Sequence, residues 1–246
     1  MFNNLNPILL ALLAGTITFL ITTLGSSIVF FFKKTNKTIH EIMLSFSSGI
    51  MIAASFFSLI LPAIEIKNTN ILLPTIIGFI GGTIILFILE KICSKLKNKK
   101  SLLLLFSITL HNIPEGLAIG VAFGTLAKVN IGAAFAVALG IGLQNFPEGA
   151  AVSLPLLKEG YTKRKAFIYG SLSAIVEPIF ACLGAYLVTK TQTLLPYMLM
   201  FAASAMIFVS ISELIPESQK SQKKDIMSIV FMIGFLIMTI LDLMFS

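Results

Sequence analysis

Apolar runs long enough to cross a lipid bilayer occupy almost all of this 246-residue chain. A bilayer's hydrocarbon core takes about 20 apolar residues in helical form. Eight stretches qualify: 7–32, 42–66, 71–92, 102–127, 131–157, 166–189, 194–215 and 226–245. Lipid offers backbone N–H and C=O groups no partners, so each run must satisfy its own and be a helix. The expected fold is all-α, a polytopic membrane protein with eight transmembrane helices in one domain covering residues 1–246. Only 12% of the residues are charged, about half the roughly 25% of soluble domains, and no connector is large enough for a soluble unit. The first run is expected to remain in the mature protein. It exceeds the apolar stretch of a secretory signal, and residues 1–6 carry no Lys or Arg.

The formal net charge of +7 does not point to nucleic acid once the basic residues are placed. Fifteen of the 18 fall on the odd-numbered connections or beside them, leaving Lys67, Lys128 and Lys190 on the even ones. The positive-inside rule puts the odd connections in the cytoplasm and both termini outside. The basic loops are orientation signals touching anionic lipid. Cys93 and Cys182 form no CxxC or Cys/His cluster and are expected to be reduced packing residues.

Two hexads interrupt this apolar background: His111-Asn112-Ile113-Pro114-Glu115-Gly116 in the fourth run and Gln144-Asn145-Phe146-Pro147-Glu148-Gly149 in the fifth. A charge at bilayer depth costs about 2.5–3.5 kcal/mol on insertion scales, so two carboxylates there call for a functional explanation. His111 and Glu115, four residues apart, share one helix face, and Gln144 and Glu148 repeat the spacing. The donors are nitrogen and oxygen without sulfur, a set suited to a first-row divalent cation. Pro114 and Pro147 deprive the carbonyls of Leu110 and Leu143 of their helical partners, and Gly116 and Gly149 permit close helix approach. A kinked, closely packed pair is expected. The hexads repeat at an interval of 33 residues on consecutive, antiparallel spans, as do inverted elements at the midplane of secondary transporters. Glu177, before Pro178 in the sixth run, is a third carboxylate available to close the site.

These motifs resemble those of the ZIP family of divalent-metal transporters. The stretches 46–65 and 201–217 are similar to the second and seventh helices of its bacterial GufA-like branch. The resemblance implies a binuclear site halfway along a path from the outside to the cytoplasm. His111, Glu115 and Glu148 would bind one ion, and Asn112, Gln144, Glu148 and Glu177 the other, with Glu148 bridging. Asn145 stands where members commonly carry Asp and is kept as a further candidate. Glu65 resembles an entrance ligand, Met51 part of a hydrophobic constriction and Glu213 an exit ligand, although Ser212 stands where some relatives have His. His40, Glu41, Glu90 and Asp242 are expected to be ordinary solvated residues at the membrane boundaries.

The implied protein is a transporter of the bacterial inner or plasma membrane, not an enzyme. It has no cofactor, and its substrate is a divalent metal ion, zinc first, with iron(II), manganese and cadmium also accepted. A homodimer and an elevator-like displacement of the helices bearing the hexads are implied as well. Because ligands bind metal deprotonated, proton release should accompany loading. The rival readings are an intramembrane metalloenzyme and a non-transporting metal sensor. The first is disfavoured because His111 and Glu115 lack the H-E-x-x-H spacing.

Overall fold

The protein is described by a computed structural model covering residues 6–31, 37–66, 70–95, 100–126 and 131–245; the side chains at 93–95, 100–108, 111, 126 and 158 are also outside the described set. Its helices are α1 (Pro7–Ser26), α2 (Lys37–Ala54), α3 (Leu72–Lys95), α4 (Lys100–Val121), α5 (Ile131–Lys158), α6 (Lys163–Leu172), α7 (Val176–Lys190), α8 (Leu195–Val209) and α9 (Lys224–Phe245). No strand occurs among the described residues.

Six helical rods among those residues are long and apolar enough to cross a membrane: Pro7–Phe30, Lys37–Ile64, Leu72–Ile92, Lys163–Lys190, Gln192–Ser218 and Lys224–Phe245. The other two long helices, α4 and α5, carry the polar hexads. Helix ends follow local chemistry. Asn6 caps α1 by accepting from the Ile8 N–H, with Pro7 at the first helical position. The second rod begins five residues before its apolar run, where Lys37 pairs with Glu41 one turn on, at 3.3 Å. Thr162 caps α6 through the Lys165 N–H.

The helices pack in two groups. In one, α4 lies along α7, and α1 lies along both α5 and α7. In the other, α2 lies along α9 and α3 along α8, with α8 crossing the chain just beyond α2, at Ser55–Ile60. The groups meet where α2 faces α5 and where α4 faces α8. Each group is drawn together by glycines against backbone. A Cβ on Gly120 would stand 2.2 Å from the Ala181 carbonyl oxygen, and one on Gly49 2.1 Å from that of Phe231. Between the groups, Gly140 faces the flexible Met238 side chain instead.

A second repeat emerges from the fold. Residues 46–55, FSSGIMIAAS, align with 201–210, FAASAMIFVS, and both segments end where the α-helix widens into a π-turn, Ser55–Ile60 and Ser210–Leu214. Short helices with proline at the second position, Pro62 and Pro216, follow. Proline cannot supply an N–H to the carbonyl four residues back. The wider turn carries the chain across that gap: Leu61 N–H bonds to Phe56 O and Ile215 N–H to Ser210 O.

Candidate metal site

Both hexads lie within unbroken helix: α4 runs through Pro114 and α5 through Pro147 and Pro155. The backbone break nearest them lies in the sixth run, between α6 and α7. The hexad glycines act as expected. A Cβ on Gly116 would lie 2.6 Å from the Glu177 carbonyl oxygen, and one on Gly149 2.1 Å from that of Thr22. The first hexad is thus pressed against α7 and the second against α1. Ser26 Oγ adds a 3.1 Å hydrogen bond to the Gly149 carbonyl.

The break at residues 173–175 has its cause in Pro178. In a continuous helix the Ala174 carbonyl would accept from residue 178, which has no N–H. Glu177 N–H takes that carbonyl instead, at 3.0 Å, and Ala174 and Ile175 make similar three-residue turns. The Ser173 carbonyl is left over. Asn112 Nδ2 donates to it at 3.0 Å, so an amide of the first hexad holds the break that starts α7 beside Glu177.

The remaining amides follow the same pattern. Gln144 Nε2 donates to Glu115 Oε1 in a short hydrogen bond. Asn145 Nδ2 donates to Glu177 Oε2 at 2.9 Å, with a longer 3.5 Å contact to the Thr18 carbonyl. Thr22 Oγ1 approaches Glu177 Oε1 at 3.5 Å. All six described ligand candidates, Asn112, Glu115, Gln144, Asn145, Glu148 and Glu177, are at most 2% exposed. Every amide nitrogen is thus engaged, while Asn112 Oδ1, Gln144 Oε1, Asn145 Oδ1 and Glu115 Oε2 are buried with no donor among the described residues. Buried oxygens in that condition are costly, and a cation would satisfy them. The His111 side chain lies outside the described residues. Among the described ones, no three His, Cys, Asp or Glu side chains converge closely enough to hold an ion by themselves. An ion here would depend on amide oxygens, on His111, or on carboxylates drawing together around it.

Thr18, Thr22 and Ser173 were not candidates from sequence. The available signal was the pair of threonines one turn apart in α1, both buried.

The other candidates are dispersed. Met51 is fully buried in the apolar core. Glu65 caps an exposed helix end. Glu213, half-buried in the second π-turn, lines a narrow cleft with Ser212, Glu90 and Leu110. All four boundary residues depart from simple solvation, His40 as a half-buried side chain. Glu90 is half-buried in that cleft, and Glu41 is 4% exposed beside Lys37. Asp242, also half-buried, accepts a 2.9 Å bond from Ser58 in the first π-turn. Packing of α2 against α9 and of α3 against α8 covers these positions. Cys182 is a free thiol; the Cys93 side chain is outside the described residues.

The family model described as ZIP Zinc transporter matches residues 99–242. The zinc transporter ZIP11 of Xenopus tropicalis is 31% identical over 98% of this chain and 99% of its own length. The zinc transporter ZupT of Streptococcus mutans is 31% identical over 96% of each chain. The zinc transporter GufA of Myxococcus xanthus is 35% identical over 60% of this chain and 57% of its own.

Proposed function

Because the chain belongs to the ZIP zinc transporter family, we propose that it carries zinc, and also iron(II), manganese and cadmium, from outside into the cytoplasm through a binuclear site on α4, α5 and α7. It is a multi-pass protein of the cell membrane, and its relatives are transporters, not enzymes. The observation that carries the proposal is the set of buried oxygens without donors, each on a residue whose nitrogen or second oxygen is already engaged or at the hexads. In this reading His111, Glu115 and Glu148 take one ion. Asn112, Gln144, Glu148 and Glu177 take the second, Glu148 bridges, and Asn145 supplies a further amide oxygen.

Counting α4 and α5 as spans beside the six apolar rods gives eight crossings, with the lysine-rich connections in the cytoplasm and both termini outside. Movement of the α1–α4–α5–α7 group past the α2–α3–α8–α9 group would expose the site to each side in turn. Glycine-to-backbone contacts within each group, against a flexible Met238 between them, support two stiff bodies with a compliant seam. Two such chains would associate as a homodimer.

The test is radioactive zinc uptake into sealed proteoliposomes containing wild-type or Glu148→Ala protein, with unlabelled iron(II), manganese and cadmium as competitors. Saturable uptake that the substitution abolishes, and that competitors reduce, is expected. Zinc binding without uptake would overturn transport in favour of sensing.

A further inference from the structure

We propose that the acyl chain of a membrane lipid lies in a groove behind the metal site, between the α1–α5 wall and α2. The side chains leave a space of about 710 Å³ there, walled by Leu13 and Ile17 of α1, Met43 and Phe46 of α2, and Leu139 and Phe146 of α5. Thr18 contributes a hydroxyl, but it is already bonded to the Gly15 carbonyl at 3.1 Å. The remaining lining is hydrocarbon apart from main-chain groups within helices.

Three observations select a lipid chain as the occupant. The rim is continuous with the lipid-facing surface of a membrane-spanning rod: Leu13, Ile17 and Leu139 are 52%, 57% and 45% exposed. The floor is not part of that surface, since Ala14 and Phe123 are 8% and 2% exposed, so the groove cuts inward at the seam between the helix groups. Its lining on α1 runs from Leu10 to Ile21, about 17 Å of helix, against about 15 Å for the hydrocarbon of one leaflet. Water has no polar partners in such a space, whereas a hydrocarbon chain gains dispersion contacts along its whole length. Its far wall backs on the site: Thr18 offers its carbonyl to Asn145, and Pro147 precedes Glu148. The inference rests on membrane placement and not on the identity of the cargo.

The experiment reconstitutes the protein in phosphatidylethanolamine–phosphatidylglycerol bilayers doped with a phospholipid whose palmitoyl chain carries a diazirine, followed by irradiation and peptide mapping. Adducts are expected at the floor, on Ala14 or Phe123. They should be lost in Leu13→Trp and in Ala138→Phe, which fill the groove from opposite walls, while labelling of lipid-facing Ile84 and Ile88 on α3 stays unchanged. Labelling confined to the rim and α3, or floor labelling that survives both substitutions, would overturn the proposal. So would efficient dimer cross-linking through Leu139→Cys, which would assign the groove to a second copy.

Discussion

Asn145 and Glu177 form the most sharply defined contact of the site. The amide donates at 2.9 Å and offsets part of the charge that burial makes costly. Asn145→Asp would remove the donor and set two carboxylates side by side. Without metal, the variant is expected to unfold at a lower temperature than wild type, since leaving a buried polar group unsatisfied costs about 1–3 kcal/mol. Zinc should reverse the loss by binding the folded state. Thermal unfolding with and without zinc checks this, and a deficit that saturating zinc leaves intact would count against an ion between these residues. The hexads were legible in the sequence because carboxylates and amides in an apolar run have no packing explanation. The second layer was not. Thr22 and Thr18 are common residues in a membrane helix, and only the approach of α1 to α5 and α7 gives them a carboxylate and an amide to meet.

Among the elements, the α4–α7 contact brings the first hexad against Glu177. Gly116→Ala would drive a methyl to 2.6 Å from the Glu177 carbonyl, whereas one on Gly81 would meet nothing closer than Phe201 Cδ2 at 3.9 Å. Gly116→Ala is expected to cost about 1–3 kcal/mol by overpacking and to abolish zinc uptake; Gly81→Ala should leave both stability and uptake near wild type. Unfolding temperatures and uptake rates for the pair decide it. Equal tolerance of the two would show that α4 and α7 can separate without consequence. The helices themselves were legible from apolar runs, but the break before α7 was not. Pro114 and Pro147 were read as kinks within helices, and α4 and α5 continue through them. The real break follows from Pro178 acting four residues upstream. Whether a proline ends a helix depends on whether a neighbour such as Asn112 can claim the carbonyl that the rearranged turn leaves over, here that of Ser173, and that is a fact of packing.

For the whole molecule, the proposed transport requires relative motion between the two helix groups. In a background of Cys93→Ser and Cys182→Ser, a short bifunctional cross-link between Gly140→Cys and Met238→Cys joins α5 to α9 across the seam. It is expected to stop uptake, with recovery on cleavage of the linker. The same linker between Ser45→Cys and Met227→Cys, where Ser45 Oγ already lies 2.5 Å from the Met227 carbonyl, joins α2 to α9 within one group and should leave uptake running. Transport surviving the first linker would exclude movement at this seam. Lysine placement predicts an orientation from sequence. The grouping of helices is not, and so Glu90 and Asp242, read as surface residues, are half covered by neighbouring helices. The break before α7 has an electrical consequence as well. Aligned peptide dipoles give a helix about half a positive charge at its N-terminus, and Glu177 sits in the first turn of α7. In the proposed site that partial charge, buried among three carboxylates, would weaken the attraction a divalent ion feels and help it leave. Were the α6–α7 rod continuous, the positive end would lie at a membrane surface, and the same ligands would form a deeper trap.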